Sequence, residues 1–281
     1  MKRTNIFKKV TPVKIIAAIF VLVCTIAALA PFYFMVISSL KKQFEMLTTG
    51  VFAFPKGLYL ENFKKVIFSD FYKFLVNSVL VVAISLVLIL MASAFAAYPF
   101  SRFRFKLNKP LFSIVVAAMA VPIHVTLIPL FQLTQKLHIY DTIWALIGPY
   151  VAFNIPISVF ILTSFMVNIP KELEEAAEID GCGKFGTFFK VILPLSKPGL
   201  ATLAIYDSVN MWNEFSFALV LTQSKNSRTL PLSIWEYQGQ YNANIPMIMT
   251  VLTLCAVPMI IAFIIGQDKL IKGMMAGAVK E

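Results

Sequence analysis

The sequence predicts an all-α integral membrane protein with six transmembrane helices and both termini in the cytoplasm. Three observations carry this. The 281 residues are 59% hydrophobic with a mean hydropathy of +0.79, only 14% are charged, and the apolar residues gather in long runs. Soluble domains are nearer about 45–50% apolar and about 25% charged, so a chain of this composition needs a bilayer to cover its surface.

A spanning helix takes about 20 predominantly apolar residues. Runs of that kind cover 15–40, 75–98, 111–133, 142–166, 199–222 and 247–266. The first has no charged residue from Ile15 to Leu40 and is bracketed by Lys14 and Lys41. A basic stretch (Lys2, Arg3, Lys8, Lys9, Lys14) precedes it as in a secretory signal. A signal's apolar region is only about 7–15 residues, however, so the run reads as a retained anchor. Pro122, Pro129, Pro149 and Pro156 interrupt the third and fourth runs and mark candidate gate segments, because a cavity or a neighbour must satisfy the freed backbone groups. The six runs form one membrane domain, 15–266, between an N-terminal segment 1–14 and a tail 267–281, with no glycine- or serine-rich linker.

A net charge of +11 invites a nucleic-acid reading, but the basic residues sit in short loops at the ends of the spans. The segments 1–14, 99–110, 167–198 and 267–281 hold 16 of them, against 9 in the alternate loops. That asymmetry places the first set in the cytoplasm, with Arg102, Arg104, Lys106 and Lys109 beside anionic lipid, and argues against nucleic acid. Cys24, Cys182 and Cys255 share no outer loop and have no suitably spaced ligands, so neither a disulfide nor a metal site is expected. Of the outer loops, 41–74 is rich in aromatics and offers a short interfacial helix over Asn62–Ile67. Loop 223–246 is polar and turn-rich, and reads either as a reach toward an extracytoplasmic partner or as a connector.

Residues 168–198, between the fourth and fifth spans, read as a built element. Pro170 and the acids Glu172, Glu174 and Glu175 suit a helix N-terminus, and the Asp180-Gly181 step suits its stop. A second short helix over Lys184–Val191 follows, with Phe185, Phe188 and Phe189 to one side, until Pro194. The pair forms a helix-turn-helix across the cytoplasmic face.

These residues resemble the membrane permeases of bacterial and archaeal ABC importers. That family's cytoplasmic loop reads E-A-A, three residues, G, nine residues, I, one residue, L-P. The frame here is Glu175-Ala176-Ala177, Gly181, Val191 and Leu193-Pro194, with valine replacing isoleucine. The resemblance covers about residues 10–281 and is nearest the carbohydrate-uptake branch, in its shorter, maltose-permease-G-like member, on residues 128–142, 165–181 and 271–280. It implies a type I importer permease in the cell membrane of a prokaryote. It also implies pairing with a second, different permease, two ATP-binding subunits docked on the loop, and an extracytoplasmic solute-binding protein touching loop 223–246. Glu175 would pair with a basic residue of the ATPase, Gly181 would make the turn, and Leu193-Pro194 would fix the exit. Lys272, Gly273, Ala276 and Gly277 would lie near the ATPase dimer interface.

An intramembrane ionisable group costs at least about 2.5–3.5 kcal/mol on insertion scales, so it usually faces a wet cavity or a partner. The fifth span holds Asp207 and Glu214 on one face with Asn210, and Asn213 at its edge, a stripe of roughly 10 Å. Carboxylates and amides suit sugar hydroxyls, with Trp212 or Tyr206 able to receive a ring face. The same residues serve equally as hydrogen-bonding ties to a partner permease.

There is no phosphate loop of the form G-x-x-x-x-G-K-[ST], no HExxH and no paired catalytic constellation, so no enzyme activity and no cofactor are expected, and ATP hydrolysis falls to a separate subunit. Two other functions compete: a secondary transporter using Asp207 and Glu214 as ion sites, and a membrane module that senses solute. The first lacks an internal repeat and leaves the E-A-A frame unexplained, and the second needs no polar fifth span.

Overall fold

The computed structural model describes residues 12–239 and 243–278, and side chains within 13–267. The N-terminal basic residues up to Lys9, and the side chains of Lys272, Ala276 and their neighbours, lie outside the described residues. The helices are α1 (Pro12–Ser39), α2 (Gln43–Thr48), α3 (Glu61–Ile67), α4 (Phe71–Arg102), α5 (Asn108–Ala117), α6 (Ile123–Lys136), α7 (Trp144–Val167), α8 (Glu172–Ile179), α9 (Lys184–Thr187), α10 (Leu193–Leu195), α11 (Lys197–Trp212), α12 (Ser216–Leu221) and α13 (Ile245–Ala278). The chain divides into two compact units, Met1–Val66 with Glu236–Leu254, and Ile67–Trp235 with Cys255–Glu281.

In the first unit the end of α1 is tied to the loop that follows it. Asn62 on α3 donates to the carbonyls of Ser39 (2.8 Å) and Lys41 (2.9 Å), groups that a helix end leaves without intrahelical partners. The Thr250 hydroxyl also reaches Ser39 O at 3.3 Å. A short helix, α3, is present where one was expected over 62–67, with Asn62 and Val66 buried, while Phe44, Phe52, Phe54 and Phe68 of the aromatic loop remain exposed.

The second unit is built around α4 and α7, which make the most extensive helix contact. Two clusters fill it. Toward one end Val81, Ile89, Leu146, Tyr150, Met211, Phe217 and Leu221 interlock. Toward the other, Ala94, Ala97, Tyr98, Leu162, Met166, Phe188, Ile192 and Leu203 do. Because lipid tails are as apolar as these side chains, such packing rests on close contact rather than on escape from water. Small residues let helices approach: a Cβ on Gly199 would lie 2.9 Å from the Phe165 ring, and one on Gly266 would lie 2.9 Å from Ile205.

Among the described residues, four helices are each long and apolar enough to span as single pieces, α1, α4, α7 and the first part of α13. The third and fifth spans are broken. The third bends by 94° between the α5 segment and α6, at Val121-Pro122. By contrast, α7 runs unbroken through Pro149 and Pro156, so of the flagged prolines only the position of Pro122 coincides with a break. The helical segment 184–195 meets α11 at 68°. Beyond α11, the run 199–222 is interrupted again at Asn213–Phe215 before α12.

Candidate functional site

Two regions of the second unit gather the polar chemistry. The first is the cytoplasmic segment. α8 opens with Glu172, Glu174 and Glu175 in its first turn, where the helix dipole favours acids. It closes as expected: Gly181 adopts φ +81°, Gly181 N donates to Glu178 O (3.0 Å) and Cys182 N to Ala177 O (2.9 Å). The second helix is α9, continued by a π-helical turn over Phe188–Ile192 and then α10. Phe188 is buried against Phe95 and Tyr98, at ring-centroid distances of 5.2 and 5.1 Å. Phe185 and Ile179 stay exposed, and so does the Glu175 side chain. Ala176, Gly181 and Pro194 are also exposed, Leu193 is half-buried and Ala177 is buried. Arg102, expected at the lipid surface, is instead buried by the segment: its Nε lies 2.5 Å from Glu174 Oε1, and Nη2 donates to Ile169 O at 2.8 Å.

The second region is a cavity of about 430 Å³ between the break in the third span, α7 and α11. Its polar lining is Tyr150, Asn154, Tyr206, Asn210 and Glu214; Met119, Val121, Phe153 and Phe217 are among its apolar walls. Asn210 and Tyr206 are exposed to it. Glu214 has both oxygens engaged: it accepts from Tyr150 OH (2.9 Å), Phe217 N (2.8 Å) and Ala218 N (3.2 Å), satisfying the start of α12.

The other polar residues of the fifth span turn elsewhere. Asp207 is fully buried, with Oδ2 accepting from Ser158 Oγ on α7 at 2.9 Å and Oδ1 without a hydrogen-bond partner among the described residues. Asn213 caps α11, its amide on Val209 O. Trp212 is buried and donates to Cys255 O at 3.4 Å, so of these two aromatics of the fifth span only Tyr206 lines the cavity. Tyr150 and Asn154 escaped the sequence reading. Their signal was a tyrosine and an asparagine one turn apart in a span whose other polar residues are only serines and threonines.

At the opposite end a carboxylate organises the start of loop 223–246. Asp141, in the left-handed region at φ +58°, accepts from Gln223 N (2.7 Å), Ser224 N (2.8 Å) and the Ser227 hydroxyl. Burial works against the ionised form, but these donors outweigh it and hold the carboxyl below the usual range. Asn77 adds bonds to Asn226 O (2.9 Å) and Arg228 O (3.0 Å).

Residues 89–275 match the family described as binding-protein-dependent transport system inner membrane component. The chain belongs to that family. It is therefore a multi-pass inner-membrane permease component, and ATP hydrolysis belongs to a separate subunit. An ABC transporter permease from Caldicellulosiruptor sp. (strain Rt8B.4) is 55% identical over 262 residues, 93% of this chain and 95% of its own. The sulfoquinovosyl glycerol transport system permease of Agrobacterium fabrum is 35% identical over 271 residues, 96% of this chain and 94% of its own. In fold, the permease superposes on a chain of a bacterial ABC transporter that imports the acidic polysaccharide alginate, with a TM-score of 0.81, 20% identity, and coverage of 94% and 99%. Membership decides against both the self-sufficient secondary transporter and the sensing module.

Proposed function

We propose that this permease forms half of a translocation pathway for a carbohydrate, paired with a second permease and driven by two ATP-binding subunits docked on residues 168–198. The observation that carries the reading is the cavity beside α11. Asn210 and Asn154 offer amides to hydroxyl groups, and Tyr206 offers a ring face, within otherwise apolar walls. The A. fabrum relative, named for a glycoside, supports the same substrate class. In this reading Asn210 contacts the ligand and Glu214 shapes the wall, while Asp207 ties α11 to α7 and Asn213 caps α11. The exposed Glu175, with Ala176, Ala177 and Gly181 behind it and Leu193-Pro194 at the exit, presents the docking surface toward the ATP-binding subunits on the cytoplasmic side. ATP closure moves that surface, and the pathway alternates its access to an extracytoplasmic binding protein.

Uptake by the reconstituted complex, measured with ATP hydrolysis stimulated by the binding protein, tests this. Asn210→Ala is expected to lower uptake about tenfold, the equivalent of about one lost hydrogen bond in a shielded site, with basal hydrolysis preserved. Glu175→Ala is expected to weaken assembly or stimulated hydrolysis. Unchanged uptake and unchanged ligand preference in Asn210→Ala would remove the cavity from the pathway.

A further inference from the structure

We propose that Arg102 is a positioning residue for energy coupling: its guanidinium locks α8 to the end of α4, so that displacement of the docking segment is delivered to α4. This rests on the reading of residues 168–198 as the ATPase-docking segment. Arg102 is the last residue of α4, and its side chain is only 3% exposed. The two contacts of its fork fall on different parts of the segment. Nε pairs with Glu174 in the first turn of α8 at 2.5 Å, and Nη2 holds the carbonyl of Ile169, ahead of that helix, at 2.8 Å. The Nη2 contact is a hydrogen bond, whereas Nε and Glu174 Oε1 meet as an ion pair without hydrogen-bond alignment; a planar guanidinium holds both contacts at once, which an ammonium cannot reproduce.

The acids of α8 are thereby divided. Successive residues of a helix point about 100° apart, and Glu174 is turned inward to Arg102 while Glu175 is exposed. One acid anchors the helix to its own chain and the next is left for a partner. The rest of the contact lies on the same face of α4. Phe95, Tyr98 and Arg102 follow at helical spacing, and all three touch the segment: Phe95 through Phe188 and Phe189, Tyr98 through Phe188 and through a bond from its hydroxyl to Lys184 O at 3.4 Å. Ring contacts allow sliding, whereas the charged fork resists it. α4 in turn packs along α7 and against α11, the helices that supply Tyr150, Asn154, Tyr206 and Asn210 to the cavity. A displacement imposed at Arg102 thus reaches the cavity walls through packed helices.

The test measures solute taken up per ATP hydrolysed by the full complex, at matched complex abundance. In Arg102→Ala this ratio is expected to fall at least about fivefold, the low end of an allosteric coupling, while basal hydrolysis continues. Arg102→Lys should fall between, and the exchanged pair Arg102→Glu with Glu174→Arg should recover part of the ratio. A purely structural role would lower uptake and hydrolysis together without changing the ratio, and an unchanged ratio overturns the proposal. If Arg102→Ala does not assemble, Glu174→Gln decides. It removes the charge pair with the side chain's shape kept, and the same fall is expected; no fall overturns the proposal. Glu175→Ala, run in parallel, separates the two readings. If it leaves assembly and stimulated hydrolysis untouched, the docking reading falls and this inference with it. If it impairs them while Arg102 variants keep the ratio, only the inference falls.

Discussion

Asp141 shows how one side chain shapes a loop that composition alone describes as polar. Its carboxylate collects backbone N–H groups of Gln223 and Ser224 and the Ser227 hydroxyl, so the turn 223–227 is closed by charge-assisted bonds. Its folded pKa is depressed, so the stabilisation is fully present above the ordinary aspartate value of about 3.9 and is lost as pH falls below it through the folded value. Protection of the Ser224–Arg228 amides, taken relative to their intrinsic exchange rates, is expected to be high at neutral pH and to fall in acid, and Asp141→Asn should lower it already at neutral pH. Equal exchange in wild type and variant would remove the clasp. Arg102 and Asp207 carry the same lesson. The sequence set Arg102 beside lipid and Asp207 toward a pathway or a partner permease, whereas Glu174 lies on α8 and Ser158 on α7, far along the chain, and no local spacing names such partners.

At the scale of elements, the helix-turn-helix of residues 168–198 was legible because its signals are local: acids at the start of α8, glycine at its stop and proline at its exit. The breaks in the spans were not. Pro122 sits at the 94° bend, whereas Pro149 and Pro156 sit inside the uninterrupted α7, because whether a freed carbonyl breaks a helix depends on the neighbours that can satisfy it. The contact of α11 with α7 depends on Gly199, which leaves no room for a Cβ against Phe165. Gly199→Ala is expected to cost about 1–3 kcal/mol, the usual range for overpacking, and to lower the Tm of the detergent-solubilised complex. Adding Phe165→Leu should return most of it. A Tm unchanged by the single substitution would show that the helices separate freely there.

At the scale of the molecule, the family assignment makes this chain one component of an assembly. Reconstituted alone, it is expected to accumulate no solute, and uptake should appear only with the ATP-binding subunits and ATP. Accumulation by the lone chain would restore a secondary-transport reading, with Asp207 and Glu214 as its ion sites. The cavity also takes its form at this scale. It joins residues from the third, fourth and fifth spans, and of the polar stripe on the fifth only Asn210 and Glu214 line it.

By itself, then, the sequence determined that the chain is helical and lies in a membrane, roughly where it crosses, and which cytoplasmic segment resembles an importer's docking loop. Those properties follow from apolar run length, charge placement and residues close in the chain. Only the tertiary structure decided which polar groups face the cavity, which proline marks a break, and that Arg102 grips α8. Each of these depends on packing between segments far apart in sequence, where a rotation of one helix exchanges a residue lining the cavity for one buried against a neighbour.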